Sequence, residues 1–124
     1  MANTTITFQD VDDYLVPSVS SVSVVGGDTI TFTAPQSTSA KLCIPSGTAA
    51  ILSPTPDNSN TQIAAGASVI FTFTSSATGT YCILLQKQSY GCPTSISCPS
   101  GSSGTLGIYA AGPIDFEGED RTWP

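Results

Sequence analysis

Hydrophobic and polar positions alternate with a period of two along much of this chain, most clearly over residues 67–85, ASVIFTFTSSATGTYCILL. Val69, Phe71 and Phe73 alternate with Ile70, Thr72 and Thr74. A Ser-Ser-Ala-Thr-Gly break follows, and then Thr80, Tyr81, Cys82, Ile83, Leu84 and Leu85. Successive side chains on a strand point to opposite faces, so the pattern predicts two strands. Phe, Val, Ile, Thr and Tyr also suit a pleated, half-buried surface. Residues 4–9 (TTITFQ) predict a first strand at a sheet edge, with Ile6 and Phe8 on one face and Thr5 and Thr7 on the other. Pro17 ends any ladder there. Residues 18–25 predict a second strand, Val22 and Val24 opposing Ser21 and Ser23. Gly26-Gly27-Asp28 is a turn signal, and it leads into residues 29–34, where Ile30 and Phe32 alternate with threonines. Strand, Gly-Gly turn and strand read as a hairpin or as a corner between sheets.

Further on, residues 41–44 and 49–52 predict short strands, and residues 53–60 a loop of turn formers. Residues 86–104 form a long Ser- and Gly-rich connection holding two cysteines. Connections of that length in a compact domain are usually functional or tethered. Residues 106–110 predict a closing strand, Leu106 and Ile108 on one face. Seven to nine short strands separated by turn signals predict an all-β fold, an antiparallel Greek-key β-sandwich. Residues 1–111 are expected to form this single domain, and residues 112–124 an acidic, aromatic C-terminal arm.

Composition narrows the class. With 124 residues the chain has room for one core. Charged residues are only 10%, well below the usual level of about 25%. Ser and Thr supply 35 residues and carry the polarity instead. The net charge is −6 and the only cations are Lys41, Lys87 and Arg121. Nucleic-acid binding needs clustered Lys and Arg against phosphates, so no nucleic-acid partner is expected. No run approaches the roughly 18 to 20 apolar residues that span a bilayer, so no membrane insertion is expected either. Residues 1–4 carry neither the basic nor the apolar region of a signal peptide. Four cysteines with few Lys and Glu point to an oxidising, extracellular or cell-surface location.

Candidate chemistry is sparse. Cys43, Cys82, Cys92 and Cys98 are disulfide candidates, and four cysteines permit three pairings. A local Cys92–Cys98 staple with a Cys43–Cys82 bridge between strands is one of them. No C-x-x-C pair exists to begin a zinc site. Asp10, Asp12 and Asp13 are a calcium candidate, carboxylates on a loop being able to supply oxygen ligands. No EF-hand spacing follows them, and a solvated loop is the plainer reading. Nucleophilic catalysis needs a base beside the nucleophile, and the chain has no histidine. No phosphate loop or dinucleotide fingerprint is present. The protein is therefore expected not to be an enzyme and to need no cofactor.

Two stretches resemble the cupredoxin pattern. Val25-Gly26-Gly27-Asp28-Thr29-Ile30-Thr31-Phe32 is similar to that family's early V-x-x-G-D-x-I-x-F strand. Residues 63–81 are similar to its later I-x-x-G-x-S-x-x-F-x-F … G-x-Y half, and residues 104–109 to its closing strand. Together these touch about half the chain. Immunoglobulin-like sandwiches meet many of the same demands. A type 1 copper site needs two His and a Cys thiolate, usually with an axial Met. Here the family's Cys and His positions hold Leu85 and Gln88, and the single Met is Met1. The resemblance implies a cupredoxin-like sandwich without copper.

These features lead to two functional expectations. The first is a non-catalytic structural protein that self-associates as a homo-oligomer, or docks on a protein partner, through edge strands and terminal arms. Unblocked edges template pairing with another chain, and aromatics on an arm can anchor an interface. Ile6, Phe8, Phe116 and Trp123 are the candidate contacts. The second is a monomeric secreted ligand-binding module, with carbohydrate among its candidate ligands and the loops and Tyr90 forming the site.

Overall fold

The computed structural model describes residues 2–11, 14–54, 61–76, 78–90, 96–98, 103–110 and 121–122. In chain order these form β1 (Asn3–Val11), β2 (Tyr14–Pro17), β3 (Ser21–Ser23), β4 (Thr29–Thr33), β5 (Ala40–Cys43), the single helical turn α1 (Ser46–Ala49), β6 (Leu52–Ser53), β7 (Thr61–Ile63), β8 (Ser68–Phe73), β9 (Thr80–Lys87), β10 (Ile96–Ser97), β11 (Thr105–Ala110) and β12 (Arg121–Thr122). The protein is all-β, and its two five-stranded sheets form a sandwich. The first sheet has the order β2-β1-β4-β8-β6 and the second β3-β11-β9-β5-β7. β10 and β12 pair in a separate two-stranded ribbon.

Alternation builds both sheets. In β4 the alternation buries Ile30 and Phe32 while the threonines stay half-exposed, and β1 buries Ile6 and Phe8 the same way. Phe8, Phe32 and Phe71 meet between the sheets, with ring centroids 6.2 and 6.3 Å apart. Leu42, Ile63, Ile83, Leu85, Leu106 and Ile108 face them from the second sheet. Each such side chain contributes roughly 1.5–3 kcal/mol when fully buried. The turn before β4 needs both of its glycines. Gly27 has φ +89°, a conformation that side chains disfavour. A Cβ on Gly26 would stand 3.0 Å from the backbone of Ser75.

Several expectations are corrected. The sandwich is not purely antiparallel, because β1 runs parallel to β4 and β11 parallel to β9. Parallel neighbours need crossover connections, and the one from β1 to β4 passes through β3 of the second sheet. Twelve strands are described, more than seven to nine, because β2, β6, β10 and β12 are short pairings that alternation over long windows does not register. Residues 46–49 turn as α1 where a strand over 49–52 was expected, and only Leu52 and Ser53 pair. Residues 4–9 are an edge only in part. β2 folds back on β1 through four antiparallel pairs, from Phe8 opposite Pro17 to Val11 opposite Tyr14. In the C-terminal arm, Arg121 and Thr122 lie beside Ile96 and Ser97.

β9 differs from every other strand. Cys82, Ile83, Leu84, Leu85 and Gln86 are buried in succession, so both of its faces are covered. Ile83 and Leu85 belong to the core between the sheets. On the opposite face Cys82 and Leu84 join Cys43 in a second apolar cluster, against which Tyr109 and Cys98 rest. No helix among the described residues is long and apolar enough to cross a membrane.

Candidate functional surfaces

The outward side chains of the first sheet make a flat field without charge. Asn3, Thr5 and Thr7 of β1 stand beside Thr29, Thr31 and Thr33 of β4. Those in turn stand beside Thr72, Ile70 and Ser68 of β8. Many of the polar groups are already partnered laterally. Asn3 Oδ1 accepts from the Thr29 hydroxyl at 2.7 Å and from the Thr31 hydroxyl at 3.2 Å, and Thr33 and Ser68 share a hydrogen bond of 2.8 Å. Val11, Tyr14 and Val16 of the β1–β2 hairpin are exposed as well. Ile70 is 56% exposed, and with these three it makes up all but one of the exposed large hydrophobics among the described residues. The nearest acid on β1, Asp10, does not join the field. Lys87 of β9 holds it at 3.0 Å, and the Thr38 hydroxyl donates to its other oxygen. That hydrogen bond, then the lysine, lowers the Asp10 pKa.

The second sheet carries a covering layer on its outer face. Cys82 is bonded to Cys98 across a separation of 16 residues, and Cys43 is disulfide-bonded too. The expected Cys43–Cys82 bridge and Cys92–Cys98 staple are therefore corrected. The register explains it. Cys43 lies opposite Leu84, so Cys82 is its diagonal neighbour, about 7–8 Å away on an antiparallel pair. A disulfide needs Cα atoms within roughly 6.8 Å. Tyr90 contributes through its backbone, its carbonyl accepting from Lys41 Nζ at 2.9 Å and from Gln86 Nε2 at 2.8 Å. Gln86 is fully buried, and its Oε1 has no hydrogen-bond partner among the described residues.

Farther along this outer face, near β3, lies a shallow groove of about 330 Å³ bordered by Ser20, Ser21, Thr80, Thr105, Gly107 and Tyr109. Gly107, by carrying no side chain, makes room for the Tyr109 ring to lie over it. A Cβ there would stand 2.7 Å from Tyr109 Cε2 and 2.8 Å from the Tyr109 hydroxyl oxygen. Sequence reasoning had no signal for this groove, because Gly107 looks like a simple interruption of a strand.

The remaining candidates separate. Ile6 is fully buried and Phe8 is 6% exposed, so both belong to the chain's own core and are corrected as assembly contacts. Phe116 and Trp123 lie outside the described residues, as do Cys92 and the calcium candidates Asp12 and Asp13. The third of those, Asp10, is held by Lys87 and Thr38. No group of three or more His, Cys, Asp or Glu side chains placed to hold a metal occurs among the described residues. In comparisons with known proteins, the chain matches no family model, no curated protein and no solved structure.

Proposed function

We propose that this chain is a non-catalytic, extracellular or surface-exposed sandwich that assembles with copies of itself through the outer face of its first sheet. The observation that carries the proposal is the uncharged field of Asn3, Thr5, Thr7, Thr29, Thr31, Thr33, Ser68, Ile70 and Thr72 on a molecule whose net charge is −6. Charged side chains are costly to bury unpaired, and here none has to be. Hydroxyls already bonded to one another lose less on leaving water than free ones. A second copy of the same face meets these conditions by symmetry, residue against residue about a two-fold axis. Ile70 supplies the exposed apolar contact.

An oxidising location is supported by the Cys82–Cys98 disulfide. The cupredoxin-like reading of the sandwich belongs to the same proposal, and its support is the motif glycines, since Gly27 and Gly66 both stand at positive φ. The non-catalytic reading rests on a chain without histidine.

Light scattering coupled to size-exclusion chromatography tests the assembly. The wild type is expected to form a defined oligomer, and Ile70→Lys, which places one charge on the exposed β8 side of the field, is expected to return it to the 12.7 kDa chain. A wild type that elutes as a 12.7 kDa monomer at every concentration would sink the proposal.

A further inference from the structure

We infer that the groove beside Tyr109 is a binding site for a neutral sugar ring. Its place in the fold defines its shape. β11 is flanked by β3 on one side and β9 on the other, and on the outer face Ser21 stands opposite Gly107 and Thr80 opposite Thr105. The Tyr109 ring lies over Gly107 and walls a dip whose rim carries hydroxyl-bearing side chains. At about 330 Å³ the dip falls at the small end of the roughly 300–1,000 Å³ seen for ligand clefts. One sugar ring and part of a second fill such a space.

The lining selects the chemistry. None of the bordering side chains is charged, so an ionic ligand would leave water without a counter-charge, at a high cost. The net charge of −6 further disfavours anions. Hydroxyls both donate and accept, so the exposed Ser20 and Ser21 can meet a ligand that presents hydroxyls of either sense. An aromatic ring supplies a flat apolar wall with one polar tip, which suits the C–H face of a pyranose. Tyr109 is held for that role from behind. It rests on the cluster of Cys43, Cys82 and Leu84 and over Gly107. Such a site is largely pre-formed and loses little freedom on binding. The groove also lies on the face of the sandwich opposite the proposed assembly surface, so pairing of first sheets leaves it open on every copy.

The test is a titration of the isotope-labelled full chain followed by amide chemical shifts. The probes are glucose, galactose, mannose and N-acetylglucosamine with their β-linked disaccharides, and glucuronate serves as the anionic comparison. Saturable shifts confined to residues 20–21, 79–81 and 105–109 with at least one neutral sugar, and none with glucuronate, are expected. Ser21→Trp fills the groove from an exposed edge position and is expected to weaken that binding by about tenfold or more with an unchanged melting midpoint. Ile70→Lys, on the other sheet, leaves it intact. Absence of saturable shifts with every neutral sugar overturns the inference. So does equal binding of glucuronate, or binding that Ser21→Trp does not weaken.

Discussion

At Thr48 a side-chain hydroxyl continues a ladder that β5 has left. β5 ends at Cys43, so the next backbone groups of β9 lose their strand neighbour at a position that is fully buried. The Thr48 hydroxyl accepts from the Cys82 N–H at 3.2 Å and donates to the Cys82 carbonyl at 3.0 Å. Thr48→Val keeps the shape and strands both backbone groups, each of which costs roughly 1–3 kcal/mol when buried unsatisfied. A loss of about 2–4 kcal/mol in urea unfolding is expected, with Thr48→Ser close to wild type. Asp10 is a residue of another kind, a half-exposed acid that ties the two sheets at their rim through Lys87 and Thr38. Its pKa is lowered, first by the Thr38 hydrogen bond and then by Lys87. A depressed carboxylate contributes stability that is present above its unfolded-state pKa, near 3.9, and is lost as pH falls through the folded-state value. Asp10→Asn is therefore expected to be less stable than wild type at neutral pH. The difference closes in acid below about pH 4, as read from melting midpoints across a pH series. A difference that stays constant into strong acid would assign it to packing rather than charge.

At the scale of elements, the strands were legible where one face is buried and the other is wet. β1, β4 and β8 alternate in sequence, and their burial alternates with it. Strand neighbours were not legible, because nothing in residues 4–9 records that residues 14–17 fold back beside Phe8 and Gln9. That is why Ile6 and Phe8 could be read as contacts for another chain. β9 did hold a usable signal. An unbroken run such as Cys82 to Gln86 points to a strand covered on both faces, and Cys98 and Tyr109 rest on the outer one. Cysteine pairing depends on which residues face each other across β5 and β9, a register set by tertiary packing and invisible in spacing alone. The same holds for the groove. Ser21, Thr80 and Thr105 are ordinary alternating polar positions, brought together around Gly107 only by the order β3-β11-β9.

At the scale of the whole molecule, charge and surface have been separated. Nine acids against three cations leave a net charge of −6, yet the outward residues of β1, β4 and β8 carry none of it. Two copies approaching through this face gain contact between apolar and already-bonded polar groups, while their remaining acids repel across the gap. The repulsion acts between exposed charges and is screened over a Debye length, about 10 Å at 0.1 M salt and about 3 Å at 1 M. The attraction is non-ionic and survives screening. Association is therefore expected to strengthen as sodium chloride rises, and sedimentation equilibrium at several salt concentrations measures it directly. Thr31→Lys and Ile70→Lys would bury an unpaired cation in each copy, and both are expected to remain monomeric across the series. An oligomer that weakens steadily with salt would instead be held by ion pairs, and the contact would then have to lie where this chain keeps its charges, away from the first sheet's outer face.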